Sequence, residues 1–220
     1  LAIAGPDGQL SHPTRDLLTW TLPVPSLPER QQLWQKALGE SEANKSEIFH
    51  LAQQHRYSCD RIAQLSRLAE HYSQLQNQPS PTVKDIRTAA WSGEGTGLDA
   101  LAQPLTHPIT DDALVLPKAL RQDLATLLHR CRHRDTLTDG LGSSTTARYT
   151  PGVKALFVGN SGTGKTLAAG WIATQLGTPL YRVDLAAIIS KYIGETEKNL
   201  AELLMRAERA EVILLFDEAD

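Results

Sequence analysis

Apolar positions follow two different periods along this chain, and the switch between them marks its organisation. From residue 26 to 91 the period is helical. Ser26 with Glu29 three residues on makes a capping-box pattern, and Leu33, Trp34, Ala37 and Leu38 mark one face of a helix that Gly39 ends. A second helix is predicted from Ser46 to His55, burying Ile48, Phe49, Leu51 and Ala52. Ile62, Leu65, Leu68, Ala69, Tyr72 and Leu75 define a third. Thr82 with Asp85 repeats the capping pattern and opens a fourth, which turns Val83, Ile86, Ala89 and Ala90 inward. Residues 26–91 therefore read as an all-α four-helix unit.

From Pro151 onward the pattern alternates. A strand (Val153 to Val158) is followed by a helix (Thr166 to Leu176), a strand (Leu180 to Val183), two helices (Leu185 to Ile189 and Glu195 to Arg209) and a strand (Val212 to Phe216). Such alternation predicts an α/β fold, a parallel sheet covered by helices. The runs Ala155 to Val158 and Val212 to Phe216 are continuously apolar, as strands buried on both faces are. Between the two units, Ser92 to Gly97 has the composition of a flexible linker. Pro117 then opens a helix striped by Leu120, Leu124, Leu127, Leu128 and Cys131, and Asp139 to Thr150 is a polar loop. Ahead of the helices, Leu1 to Ala4 and Leu17 to Val24 read as strands joined by a loop. The expected divisions are 1–25, 26–91, a linker at 92–116, and 117–220.

Composition narrows the function classes. A 220-residue chain with 41% hydrophobic content can bury one sizeable core or two smaller ones. With 22 basic against 25 acidic residues, its net charge of −3 leaves no electrostatic footprint for nucleic acid or anionic lipid. No apolar run reaches the roughly 18–20 residues that cross a bilayer, and the N-terminus lacks the order of a signal peptide, so a cytoplasmic location is expected. Cys59 and Cys131 are far apart with no C-x-x-C, which suggests neither a disulfide framework nor a zinc ribbon. The chain opens inside an apolar run without Met and stops just after a charged cluster, and we read it as a piece of a longer polypeptide.

The chemistry is concentrated in two places. Gly159-Asn160-Ser161-Gly162-Thr163-Gly164-Lys165-Thr166 is a complete G-x-x-x-x-G-K-[ST] loop between a predicted strand and a predicted helix. Its glycines let successive N–H groups face one point, and the helix adds the positive end of its dipole, so the loop reads as a phosphate cradle of a P-loop NTPase. Lys165 would meet the β- and γ-phosphates of ATP or ADP, and the Thr166 hydroxyl would ligate Mg²⁺, a hard cation that prefers oxygen. About fifty residues on, Asp217-Glu218 follows an apolar run at a strand's carboxyl end, where ligands of open α/β sheets collect. This is a Walker B pattern. Asp217 would hold the Mg²⁺ and Glu218 would orient and activate the attacking water, with Lys165 as its catalytic partner.

Three segments together carry a family resemblance. Gly159 to Thr166, Val212 to Asp220, and Ser190-Lys191-Tyr192-Ile193-Gly194-Glu195-Thr196-Glu197-Lys198-Asn199-Leu200 resemble the AAA+ ATPases, specifically the AAA group whose hexameric rings pull on polypeptides. The resemblance implies Mg-dependent ATP hydrolysis, a protein substrate, a homo-oligomeric ring, and a pore loop in which Tyr192 and Ile193 grip while Lys191 and Gly194 shape the loop. An aromatic presented on a loop suits that task, since it can hold varied chains. The alternative is a Tyr that packs against the sheet's edge. The upstream residues look like the end of one module and its helical lid, similar to bacterial tandem-module AAA proteins associated with contractile injection systems. Against this, Gly5-Pro6 stands where the family places a polar sensor Asn, and an unrelated helical domain stays open. The resemblance also implies a sensor strand between the P-loop strand and the Walker B strand, and it has this stretch of sequence nearly inactive alone.

Other signals weigh less. The terminal Asp-Glu-Ala-Asp resembles a DEAD-box helicase, but such helicases place it farther from the P-loop and carry an adenine-reading glutamine motif that we do not find. A scaffold whose nucleotide state switches assembly is the second functional reading. His129, Cys131 and His133 at spacing two are expected to point in different directions on a helix, so no metal site is expected. Arg130, Arg132 and Arg134 read as cations at a helix C-terminus.

Overall fold

The computed structural model describes residues 24–39, 42–93, 96–99, 101–134, 152–185 and 196–217. The strands expected up to residue 23, the polar loop 139–150 and the helix expected at 186–189 lie outside the described residues.

Helices α1 (Leu27–Leu38), α2 (Glu42–Gln54), α3 (Cys59–Leu75) and α4 (Val83–Trp91) form the first unit. Polar residues set where three of them begin. The Ser26 N–H and hydroxyl both donate to the Glu29 carboxylate at 2.7 Å, which lowers the Glu29 pKa. Thr82 donates in the same way to Asp85, at 2.8 and 2.7 Å, and the Ser58 hydroxyl accepts from the Arg61 N–H at 3.3 Å. The apolar stripes then meet in one core around Trp34, Ile48, Leu51, Tyr57, Leu65 and Ile86, all fully buried. Trp34 stands edge-on to Tyr57 at 6.3 Å. Two expected core residues lie outside it. Phe49 is 41% exposed and Leu75 79% exposed. Ile48, Leu51 and Ala52 already complete the inward arc of α2, and Phe49 sits about 100° round the helix from Ile48. Leu75 is the last residue of α3, beyond the helix's packed face.

The second unit contains β1 (Gln103–Pro104), a 3₁₀ turn at Asp111–Ala113, α5 (Lys118–Arg132), α6 (Lys165–Leu176), β2 (Leu180–Asp184), α7 (Thr196–Ala210) and β3 (Ile213–Asp217). Strands β2 and β3 run parallel, with Leu180 opposite Ile213 and Asp184 opposite Asp217. The two-residue β1 pairs antiparallel on the other edge of β2, Gln103 opposite Arg182, so the described sheet is mixed, in the order β1-β2-β3.

Two expectations change here. Gly152 to Val158 joins no ladder among the described residues, and Leu156 and Val158 are each 86% exposed. An apolar run specifies what a strand wants to bury against, not which neighbour supplies its hydrogen bonds. The resemblance puts the sensor strand between this run and β3, and no described residue fills that position.

The glycine-rich stretch expected to be a linker is packed instead. Leu98 and Ala102 share a core with Tyr181, Val183, Leu203 and Ala207. Gly93, with a φ of +73°, lies so close to Tyr181 that a Cβ there would come within 2.2 Å of the phenol oxygen. The same hydroxyl is 3.1 Å from the Thr96 hydroxyl. Gly93 thus joins the helical unit to the sheet by close approach rather than by flexibility.

Candidate functional site

The connection from α6 into β2 decides where the glycine-rich loop 159–166 faces. The Thr178 N–H donates to the Ala173 carbonyl at 3.0 Å, and the Ile213 N–H to the Pro179 carbonyl at 2.9 Å. The C-terminal end of α6 therefore lies beside the starts of β2 and β3. Ala169 and Ala173 pack with Leu180, Ile213 and Leu215, so the helix lies back along the strands. Its 12 residues reach about 18 Å and the five-residue strands about 16 Å. The N-terminus of α6, with Lys165 and Thr166, is consequently level with the carboxyl ends that carry Asp184 and Asp217.

The loop has the conformation its glycines allow. Gly162 and Gly164 have φ of +79° and +86°, in the left-handed region. The first helical bond runs from the Ala168 N–H to the Gly164 carbonyl at 2.9 Å, and the N–H groups before it have no intrahelical acceptor. The Lys165 ammonium donates to the Gly159 and Asn160 carbonyls at 2.8 and 2.9 Å. Thr163 donates its hydroxyl proton to the same Asn160 carbonyl at 2.8 Å. Among the described residues, then, only carbonyls hold the Lys165 ammonium and no carboxylate neutralises it. The Thr163 N–H donates to the Asn160 carbonyl at 3.4 Å, and among the described residues the remaining amides of the loop beside an uncompensated cation fit a polyphosphate.

Oxygen donors are available for a divalent cation. Thr166 is half-buried on the first turn of α6, and Asp217 is half-buried at the end of β3. Asp184, which the sequence reading passed over, is directly opposite Asp217 in the parallel ladder. An acid closing the apolar run from Leu180 to Val183 was its signal. These hydroxyl and carboxylate groups match the chemistry of Mg²⁺. Glu218 and the segment Lys191, Tyr192, Ile193 and Gly194 lie outside the described residues.

A strap before α5 holds the loop's helix in place, which the sequence did not reveal. The Trp171 indole N–H donates to Asp111 at 2.6 Å, and the Ile109 N–H donates to the Thr174 hydroxyl at 2.8 Å. Gly170 makes room for the strap: a Cβ there would lie 2.8 Å from Ile109 Cγ1 and 2.9 Å from Leu105 Cδ2. Leu114, Leu124 and Leu128 pack with Trp171 and Ile172 in the same cluster as Ile109. The basic end of α5 also anchors. Arg132 donates to the Gln175 carbonyl at 3.1 Å, and Arg134 forms an ion pair with Glu211. His129 and His133 do not point apart as expected. One helical turn separates them, and their rings meet at 4.1 Å. Cys131 faces elsewhere, and burial raises its thiol pKa.

Residues 155–220 match the family model of the ATPase family associated with various cellular activities (AAA). This segment is similar to the AAA ATPase domain. The AAA family ATPase y4kL of Sinorhizobium fredii is 46% identical over 67 residues, 30% of this chain and 20% of that protein. The peroxisomal ATPase PEX6 of Dictyostelium discoideum is 42% identical over 66 residues, 30% of this chain and 6% of the relative. Katanin p60 ATPase-containing subunit A1 of Strongylocentrotus purpuratus is 45% identical over 67 residues, 30% and 13% of the two chains. The chain thus spans a fifth or less of the length of these relatives. The helices and small mixed sheet are consistent with an AAA P-loop domain that has a helical unit ahead of it. Among the described residues, no helix is long and apolar enough to cross a membrane.

Proposed function

We propose that this chain carries the nucleotide site of a Mg-ATP-dependent ring ATPase, a homo-hexamer that remodels or threads polypeptides. The supporting observation is positional: Lys165, which no carboxylate among the described residues neutralises, and the Thr166 hydroxyl stand at a helix N-terminus level with Asp217. In this reading the amides from Gly159 to Thr166 bind the phosphates, and Lys165 neutralises charge that grows between the β- and γ-phosphates as the bond breaks. Thr166 and Asp217 hold Mg²⁺, which when bound supplies further charge neutralisation on the phosphate oxygens. Glu218 takes a proton from the attacking water. Lys191, Tyr192, Ile193 and Gly194 form the loop that contacts the substrate chain. The matched relatives carry ATPase in their names, which supports the hydrolytic part. Residues 26–91 would be the lid of a preceding module in a tandem arrangement of the kind found with contractile injection systems, and the protein would act in the cytoplasm.

Two variants of the full-length protein test this. Glu218→Gln should lower phosphate release by about 10²–10⁴-fold while nucleotide binding persists. Unchanged release would remove Glu218 as the base and favour a scaffold whose assembly follows nucleotide binding. Tyr192→Ala should abolish processing of a protein substrate and keep basal ATPase activity; processing that survives would remove the gripping role.

A further inference from the structure

A cleft of about 500 Å³ separates the outer face of α4 from the extended segment 104–108 and the end of α6. Its volume lies within the range of about 300–1,000 Å³ typical of ligand sites. We propose that it binds an acidic peptide segment of a partner protein, one that places an apolar side chain between carboxylates.

The walls supply the reasons. Lys84 and Arg87, one turn apart on α4 and both exposed, face the cleft, and no Asp or Glu lines it. The stem of Arg87 lies against Gly177, the C-cap of α6, with its Cδ 3.9 Å from where a Cβ would be. Long side chains with cationic heads and an apolar floor suit an anion that brings its own apolar group. That floor is formed by Tyr72, Trp91, Pro104 and Pro108. Aromatic rings and prolines offer area at low entropic cost, as in other peptide grooves. The hydroxyl of Thr88 already donates its proton to the Lys84 carbonyl at 3.0 Å, so it meets a ligand as an acceptor. The cleft therefore presents cationic donors and an acceptor side by side. A peptide answers both, with carboxylates for the cations and backbone N–H for the hydroxyl. Inorganic phosphate can meet the cations and the hydroxyl but brings no apolar group for the floor, and two cations are a sparse footprint for a nucleic-acid backbone. Since α4 and α6 each contribute a wall, an occupant would bridge the helical unit and the helix that carries Lys165.

The test is fluorescence anisotropy on the full-length protein with a fluorescein-labelled peptide, Glu-Asp-Leu-Phe-Asp-Glu. Saturable binding is expected, weakened at least tenfold by the Lys84→Glu/Arg87→Glu double variant. Both side chains are exposed, so the variant's circular dichroism and urea midpoint should match the parent, which separates lost binding from lost folding. Added salt should weaken binding. The proposal is overturned if the double variant binds as well as the parent or if a peptide with Lys in place of each acid binds equally. Displacement by inorganic phosphate or a single-stranded oligonucleotide at the peptide's own concentration would also overturn it.

Discussion

Replacing Gly93 by Ala tests whether the helical unit is locked to the sheet by close approach. Gly93 has a φ of +73°, where an L side chain costs about 1–2 kcal/mol. Its new Cβ would lie 2.2 Å from the Tyr181 hydroxyl oxygen, on a side chain that is fully buried and has little room to move. Overpacking of this kind costs about 1–3 kcal/mol, so Gly93→Ala should destabilise by about 2–5 kcal/mol in all. Tyr181→Phe removes the obstructing oxygen and the contact with Thr96, at a cost of about 0.5–1.5 kcal/mol on its own. In that background the nearest ring atom is 3.4 Å from the Cβ, and Gly93→Ala should cost only its backbone strain. The double-mutant cycle, read by urea unfolding with tryptophan fluorescence, should therefore give a coupling of about 1–3 kcal/mol, with the double variant more stable than the sum of the singles. Additivity within about 0.5 kcal/mol would refute the contact and restore the flexible-linker reading.

Other outcomes follow from the same geometry. Trp171→Phe removes the indole donor to Asp111 and should cost about 1.5–3 kcal/mol, with faster amide hydrogen exchange at Ile109; unchanged exchange there would show that the strap does not depend on this bond. Trp34→Ala empties the centre of the helical core and should cost about 3–5 kcal/mol in urea unfolding. His55 is fully buried and stacked on Tyr57 at 4.9 Å; burial, aided by Arg134, Arg87 and Arg30, holds its pKa down to about 3 against 6.5 when unfolded. Between those values the unfolded chain binds the extra proton, so stability should fall as pH drops below 6.5, with a limiting slope of about 1.4 kcal/mol per pH unit. Above pH 6.5 this group should contribute no slope, and His55→Gln should flatten the wild-type acid slope; equal slopes would contradict the burial argument.

The helical unit was legible because its signals are local. Capping pairs such as Thr82 with Asp85, and the stripe Val83, Ile86, Ala89 and Ala90, need only the chain's own periodicity, and the helix forms where they predict. The sheet depends on partners distant in sequence. Val153 to Val158 has strand composition, yet ladder formation requires an adjacent edge, and none is present among the described residues. Strand β1 is two residues long and contains Pro104, so no periodic pattern could reveal it. Gly93 looked like a flexible residue because composition does not distinguish a glycine chosen for freedom from one required by a neighbour such as Tyr181. The candidate phosphate loop stands out in the sequence because a phosphate cradle demands particular residues at fixed spacing, whereas the pairing of Asp184 with Asp217 depends on strand register.

Isothermal titration of the full-length protein with Mg-ATP and Mg-ADP addresses the proposed nucleotide site most directly. We predict saturable uptake of both by the parent protein, loss of uptake in Lys165→Ala, and loss of the magnesium dependence in Asp217→Asn. Absence of uptake by the parent, or equal uptake by Lys165→Ala, would contradict the assignment of a phosphate cradle at Gly159 to Thr166.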